Sequence, residues 1–191
     1  MESSLVFGPV PSRRLGRSLG VNNIPPKTCT YSCVYCQLGN TLTMTVERRA
    51  FYRPEEIVEA VSKHAGKVLQ LGGRIDYVTF VPDGEPTLDI NLGEEIAGIK
   101  ALGFRVAVIT NSSLIWLDDV RDALLQADWV SLKVDAVDEH VWRRVDRPHK
   151  SLKLGSILEG IQEFSRSFKG FLATETMLVS RVNDDTNSIC E

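Results

Sequence analysis

Cys29, Cys33 and Cys36 stand with three and then two residues between them in Cys29-Thr-Tyr-Ser-Cys33-Val-Tyr-Cys36, and only one other cysteine, Cys190, occurs in the chain. Clustering of this kind presents thiols to a common point rather than spreading small hydrophobes through a core. Two metal sites fit the pattern. A structural zinc site needs four closed ligands, and here His64, His140 or His149 would have to bring the fourth from far along the chain. An iron-sulfur cluster bound by three cysteines instead leaves one iron open, which is what substrate activation at a metal requires. Two further stretches carry polar groups in suggestive places. Pro82-Asp83-Gly84-Glu85-Pro86-Thr87 follows the apolar run from Tyr77 to Val81. Ser131, Lys133 and Asp135 alternate with Val130, Leu132 and Val134, which puts three polar groups on one face of a strand. That face either lines a ligand site or closes on itself as a buried Lys133–Asp135 pair, because buried charges must be paired in both cases.

The elements that must position these groups follow a strand–helix rhythm. Residues 1–28 read as a loop, a short first strand and a turn at Ile24-Pro25-Pro26. Pro54-Glu55-Glu56 opens a helix, with proline at its first position and acidic side chains at the positive end of its dipole. Along it Ile57, Val61, Ala65 and Val68 form an apolar stripe. Tyr77 to Val81 is a second strand, and a helix over about 93–102 carries Ile96 and Ile99. A third strand runs from Val106 to Asn111, and a helix over about 117–126 carries Val120 and Leu124. A fourth strand spans Trp129 to Asp135. Helical stretches over 138–145 and 154–168 precede a fifth strand from Phe171 to Val179, after which Asn183-Asp184-Asp185-Thr186 reads as the start of a further helix. Such a parallel βα succession leaves its functional loops at the strand C-termini. Periodicity fits a doubly wound sheet and a barrel alike. Polar residues on the fourth strand favour a barrel interior, since parallel strands covered by helices are normally apolar on both faces.

Bulk properties set outer bounds. The length of 191 residues suits a single domain, 1–191, and 43% hydrophobic with 25% charged residues is an ordinary globular composition. No apolar run of membrane-spanning length and no leader pattern occurs, so we expect a cytoplasmic chain with no membrane partner. A reducing compartment favours a metal site over a disulfide. A net charge of −3 leaves no global footprint for nucleic acid, so any RNA contact would need a local basic patch. Arg13, Arg14, Arg17 and Cys190 receive no role.

The cysteine motif, with aromatic Tyr35 before its last cysteine, and Gly84-Glu85-Pro86 after the second strand together resemble the radical S-adenosylmethionine (SAM) superfamily. Within it, Phe7-Gly-Pro-Val-Pro-Ser-Arg-Arg-Leu-Gly, Cys36-Gln-Leu-Gly and Asp83-Gly-Glu-Pro-Thr-Leu88 are similar to a branch of Fe-S oxidoreductases related to the wyosine-forming tRNA enzymes. The resemblance implies an α/β fold: a partial (β/α)6 TIM-like barrel, here ending after the fifth strand with the sixth βα unit missing. It implies an enzyme with a [4Fe-4S] cluster at Cys29, Cys33 and Cys36, and with S-adenosyl-L-methionine on the open iron. It also implies a one-electron donor of the flavodoxin or ferredoxin type, and a substrate for which tRNA is the branch's suggestion. Residue by residue, Gly84 and Glu85 match the motif that receives the methionine amino group, and Tyr35 the position near adenine. Asn111, Ser131 and Lys133 match positions that touch the methionine carboxylate or ribose, and Asp135 is a weaker match. Asp83 stands where the family motif commonly has a glycine. The competing expectation is a non-catalytic iron-sulfur or zinc module for electron transfer or partner contact.

Overall fold

A computed structural model describes residues 4–184, and Asp185, Thr186 and Cys190 from the sequence reading lie outside them. Six strands form one sheet. β1 (Val6–Ser12) pairs antiparallel with β2 (Gly16–Val21), and β2 leads a parallel series with β5 (Tyr77–Phe80), β6 (Val106–Thr110), β7 (Trp129–Lys133) and β8 (Phe171–Glu175). The short parallel pair β3 (Thr28–Cys29) and β4 (Thr43–Met44) stands apart from that sheet. α1 (Pro54–Gln70) connects β2 to β5, α2 (Leu92–Ala101) connects β5 to β6, and α3 (Asp118–Leu124) connects β6 to β7. α4 (Glu139–Val145) and α5 (Leu154–Ser167) lie between β7 and β8.

Strand order chooses between the two topologies that periodicity leaves open. The order β1-β2-β5-β6-β7-β8 never reverses. Right-handed crossovers in a sheet that grows in one direction place every connecting helix on the same face, as in a barrel; a doubly wound sheet must reverse direction. Packing agrees. Leu19, Val21, Val78, Phe80, Val106, Val108, Val130 and Leu132 point to one face, where Ile57, Val61, Ile96, Ile99, Val120, Leu124, Ile157 and Phe164 from the helices complete the main core. The other face is a smaller cluster of Leu15, Tyr77, Ala107 and Trp129, with the polar pair Ser18 and Thr79 hydrogen-bonded at 2.7 Å beside it. Among the described residues the sheet stays open: a partial barrel with its concave face uncovered by helices.

The helical stripes expected from spacing bury as read, with Val68 only half-buried. The N-terminal segment differs, since it forms a hairpin of two strands where one was expected. Gly8-Pro9 and Pro11 mask the strand pattern, yet an edge strand tolerates proline because its outer N–H groups need no ladder partner. Leu15, in the hairpin turn, is 4% exposed beneath the concave face. β7 and β8 also end earlier than expected, so Asp135 lies in the loop just after β7 rather than on the strand. Asn183 and Asp184 sit at a turn rather than opening a helix. No helix of the described residues is long and apolar enough to cross a membrane.

Gly160 shows how closely α5 seats. A Cβ built there would lie 2.8 Å from the Ile115 carbonyl oxygen, a backbone atom that cannot swing aside. Gly160→Ala is expected to cost about 1–3 kcal/mol by overpacking, measured by urea unfolding; an unchanged midpoint would mean that the contact relaxes freely.

Candidate active site

The loops at the C-terminal ends of β5, β6 and β7 meet the cysteine segment. Cys29, Cys33 and Cys36 line one cavity of about 190 Å3 together with Lys27, Tyr31, Thr41, Asp83 and Gly84. A larger groove of about 890 Å3 runs between α1 and α2, but Pro54, Val58, Glu94 and Leu102 line it and no thiol does. The small cavity is the chemical one. Gly84 is needed there for close approach, because a Cβ on it would come within 2.0 Å of the Thr28 carbonyl oxygen, next to Cys29. Two backbone bonds draw the loops together: Lys27 N–H donates to the Asp83 carbonyl at 2.6 Å, and Glu85 N–H donates to the Thr28 carbonyl at 3.2 Å.

Glu85 turns inward rather than into the cavity. Its carboxylate is 1% exposed and accepts from Thr87 N–H at 3.0 Å, Thr87 Oγ1 at 2.6 Å, Thr110 Oγ1 at 2.6 Å and Asn111 N–H at 2.7 Å. Burial pushes its pKa up, and these four donors pull it back. Asn111 carries the connection onward: its Nδ2 donates to Thr30 Oγ1 at 2.8 Å and lies 3.5 Å from Cys29 Sγ. Thr30 in turn shares a hydrogen bond of 2.7 Å with Ser113.

A second group gathers around Cys33. Tyr35 donates its hydroxyl to Asp135, Lys133 Nζ stands 4.7 Å from the centroid of the Tyr35 ring, and Lys133 and Asp135 pair at 3.7 Å. Asp135 also accepts Met177 N–H at 2.6 Å, which fastens the loop after β8. The buried Lys133–Asp135 pair is therefore present, within a larger network. Sequence reasoning missed Asp146, the residue that ends α4. Its Oδ1 accepts from Cys33 Sγ at 3.3 Å and from the Tyr35 hydroxyl at 3.4 Å. Burial first, and then the nearby Asp135 charge, raise the Asp146 carboxyl well above the usual carboxylate range. No spacing rule links position 146 to position 33. Ser131 belongs to neither group: it donates to Glu175 on the concave face, where Arg14 pairs with Glu175 at 2.8 Å.

The thiols suit a cationic cofactor. Burial, with the Glu85 charge second, pushes Cys29 up to about 12; burial and the Asp146 charge raise Cys33 still further. Such thiols stay protonated until metal displaces the proton. The three cysteines border one cavity, and no group of three Cys, His, Asp or Glu placed to hold a metal ion occurs among the described residues.

The fold is an open, partial α/β barrel with three cysteines gathered beside the loops at the C-terminal ends of its parallel strands. The chain belongs to the radical SAM superfamily, whose description matches residues 23–190. It is 53% identical over 186 residues to the UPF0026 protein MJ1312 of Methanocaldococcus jannaschii, covering 97% of this chain but 57% of that one, so it spans little more than half of that relative's length. Among solved structures, TYW1 with a lysine-pyruvate adduct bound aligns with a TM-score of 0.62 at 19% identity, over 91% of this chain and 59% of that chain. A radical SAM methyltransferase from Sphaerobacter thermophilus aligns with a TM-score of 0.64 at 16% identity, over 90% of this chain and 50% of that one. These two likenesses support the fold.

Two outcomes test this geometry. Gly84→Ala should lower both the melting temperature and the iron bound per chain after anaerobic reconstitution; full iron loading at unchanged stability would show that the close approach is dispensable. Behind the loop, Asn23 bridges Pro86 O at 3.3 Å and Glu95 at 3.2 Å. Burial, and then the Asp89 charge, push the Glu95 carboxyl from 4.5 up to about 8. A raised folded value means that the folded state holds a proton the unfolded chain has lost, so stability is expected to fall as pH rises from about 4.5 to about 8. Glu95→Gln should flatten that slope in urea titrations across the window, and an unchanged slope would assign it to other groups.

Proposed function

We propose that the chain is the core of a radical SAM enzyme, with a [4Fe-4S] cluster on Cys29, Cys33 and Cys36 and S-adenosyl-L-methionine on the iron that lacks a protein ligand. The observation that carries this reading is the single cavity bordered by all three thiols and by Gly84. When bound, the pair supplies a reductively generated carbon radical able to abstract hydrogen from a substrate. The protein's own contributions are placement and shielding. Gly84 lets the β5 loop lie against Thr28, leaving room beside the thiols for the methionine end. Asn111 steadies Cys29 through its side chain and the Glu85 carboxylate through its backbone. Tyr35, held by Asp135 and capped by Lys133, offers a flat wall next to Cys36 on which an adenine could stack. Ser131 and Lys133 border the concave face on which a substrate would lie. We take residues 1–191 as one core domain, and the relatives' greater length leaves the whole protein's reaction open to further segments.

For the substrate we propose tRNA, on the strength of the TYW1 fold. The net charge of −3 weighs against it, because RNA affinity rests on phosphate neutralisation. A non-catalytic cluster module is the second reading; its mark would be a cluster indifferent to SAM.

Anaerobic reconstitution with iron and sulfide should give a reducible four-iron cluster, and SAM with a strong reductant should release 5'-deoxyadenosine. A reducible cluster that leaves SAM intact would establish the electron-transfer reading. Zinc retained in place of iron and sulfide would instead establish the non-catalytic module in its structural zinc form.

A further inference from the structure

Behind the loop that bears Gly84 and Glu85, three elements bring polar side chains to one buried point. Asn23 follows β2, Asp89 ends the short turn Pro86–Leu88, and Glu95 lies near the start of α2; all three are 0% exposed. The Pro86 carbonyl ties them together. It accepts Asn23 Nδ2 at 3.3 Å and Asp89 N–H at 3.1 Å, and the same Asn23 Nδ2 donates to Glu95 Oε2 at 3.2 Å. Asp89 spends its Oδ1 on the Asn91 N–H at 2.9 Å. Three oxygens are left over: Asn23 Oδ1, Asp89 Oδ2 and Glu95 Oε1 are buried without a hydrogen-bond partner among the described residues.

Unpaired buried oxygens destabilise a fold, and bare buried carboxylates do so most. Burial raises both acids, Asp89 to about 6 and Glu95 to about 8, with the Asp89 charge the second cause at Glu95. Arg48, whose charge reaches Asp89, is committed elsewhere: it donates to the Thr87 and Asp89 main-chain carbonyls at 2.8 and 3.0 Å and pairs with Asp119. The chemistry of the set is uniform. Carboxylate, amide and carbonyl oxygens, with no sulfur or imidazole among them, are the donors of a hard cation. Turning the Asn23 amide over exchanges Nδ2 for Oδ1 and places an oxygen beside Glu95 and the Pro86 carbonyl. Separations of 3.2 and 3.3 Å then suit neighbouring oxygens on one ion with bonds of about 2.4 Å.

We propose that Asn23, Asp89, Glu95 and the Pro86 carbonyl form a site for a hard divalent cation of the calcium type. The ion balances the two buried carboxylates, and the proton it displaces from Glu95 passes to solvent. Two acids alone are too few donors; the amide and the carbonyl complete the set. By joining the segment after β2, the turn after β5 and the start of α2, the ion fastens the loop that borders the cysteine cavity from behind. The site shares no residue with the thiols, so it stands whether or not a cluster forms.

The test is calcium binding by the full chain, stripped with EDTA and dialysed against calcium chloride at pH 8, with bound metal counted by elemental analysis. About one calcium per chain is expected, and saturating calcium should raise the melting temperature by about 5 °C over EDTA. Glu95→Gln and Asp89→Asn keep the side-chain shapes and remove one charge each. Both should unfold cooperatively in EDTA, bind calcium about tenfold or more weakly, and lose the thermal shift. Glu94→Gln, at the exposed neighbouring position of α2, should keep both. A wild-type chain that binds no calcium overturns the proposal and leaves the Glu95 proton as the means by which the fold tolerates these acids. Equal calcium binding by Glu95→Gln and Asp89→Asn overturns it as well, since the ion then sits elsewhere.

Discussion

The site depends on one buried carboxylate. Glu85 sits among Thr87, Thr110 and Asn111 with every neighbouring donor aimed at it, so the loop after β5, the short 3-10 turn Pro86–Leu88 and the end of β6 converge on the same two oxygens. Desolvation alone would drive this group neutral. Four hydrogen bonds oppose it, and those made to a charged acceptor contribute about 1.5–3 kcal/mol each. Because Asn111 reaches both Glu85 and Cys29, the geometry of the first thiol is tied to that carboxylate. Glu85 thus acts on the cavity through its neighbours, while Gly84 borders it directly.

A second constraint holds the other side. The cysteine segment has little regular structure of its own and borrows rigidity from residues 145–149 through backbone hydrogen bonds. Trp142 underpins this contact, its indole N–H 3.2 Å from the Tyr31 hydroxyl and its ring edge-on to the Tyr31 ring at 6.0 Å. Asp135, Asp146, Tyr35 and Lys133 fill the space between. Lys133 pairs with Asp135 at 3.7 Å, and burial together with the Asp135 charge raises the Asp146 carboxyl beside Cys33. The concave face is wetter: Arg14, Glu175 and Ser131 form a polar chain next to Trp129, which also stacks on Phe171 at 6.1 Å. Phe171 is 62% exposed, so this face is open on the β8 side among the described residues.

Much was legible from residue order because it depends on local rules. Spacing of three and two set the three thiols apart from the rest of the chain, period 3.6 identified the buried faces of α1, α2 and α3, and period two marked Ser131 and Lys133 as sharing one face. The superfamily followed from two motifs. What resisted local reading was of another kind. The N-terminal hairpin hid behind Gly8-Pro9 and Pro11, because proline is penalised in a strand except at an edge, and edge position is a property of the finished sheet. Asp135 looked like a strand residue because alternation continues past the last paired residue.

The sequence by itself therefore determined the superfamily and the helix and strand faces, since these follow from residue type and spacing within a few turns of chain. Only the tertiary structure decided that the sheet grows in one direction into a partial barrel, because handed crossovers and strand order are global. It alone turned Glu85 inward and brought Asp146 to Cys33 across 113 residues of chain. Contacts at that separation are fixed by how elements pack and not by any local pattern.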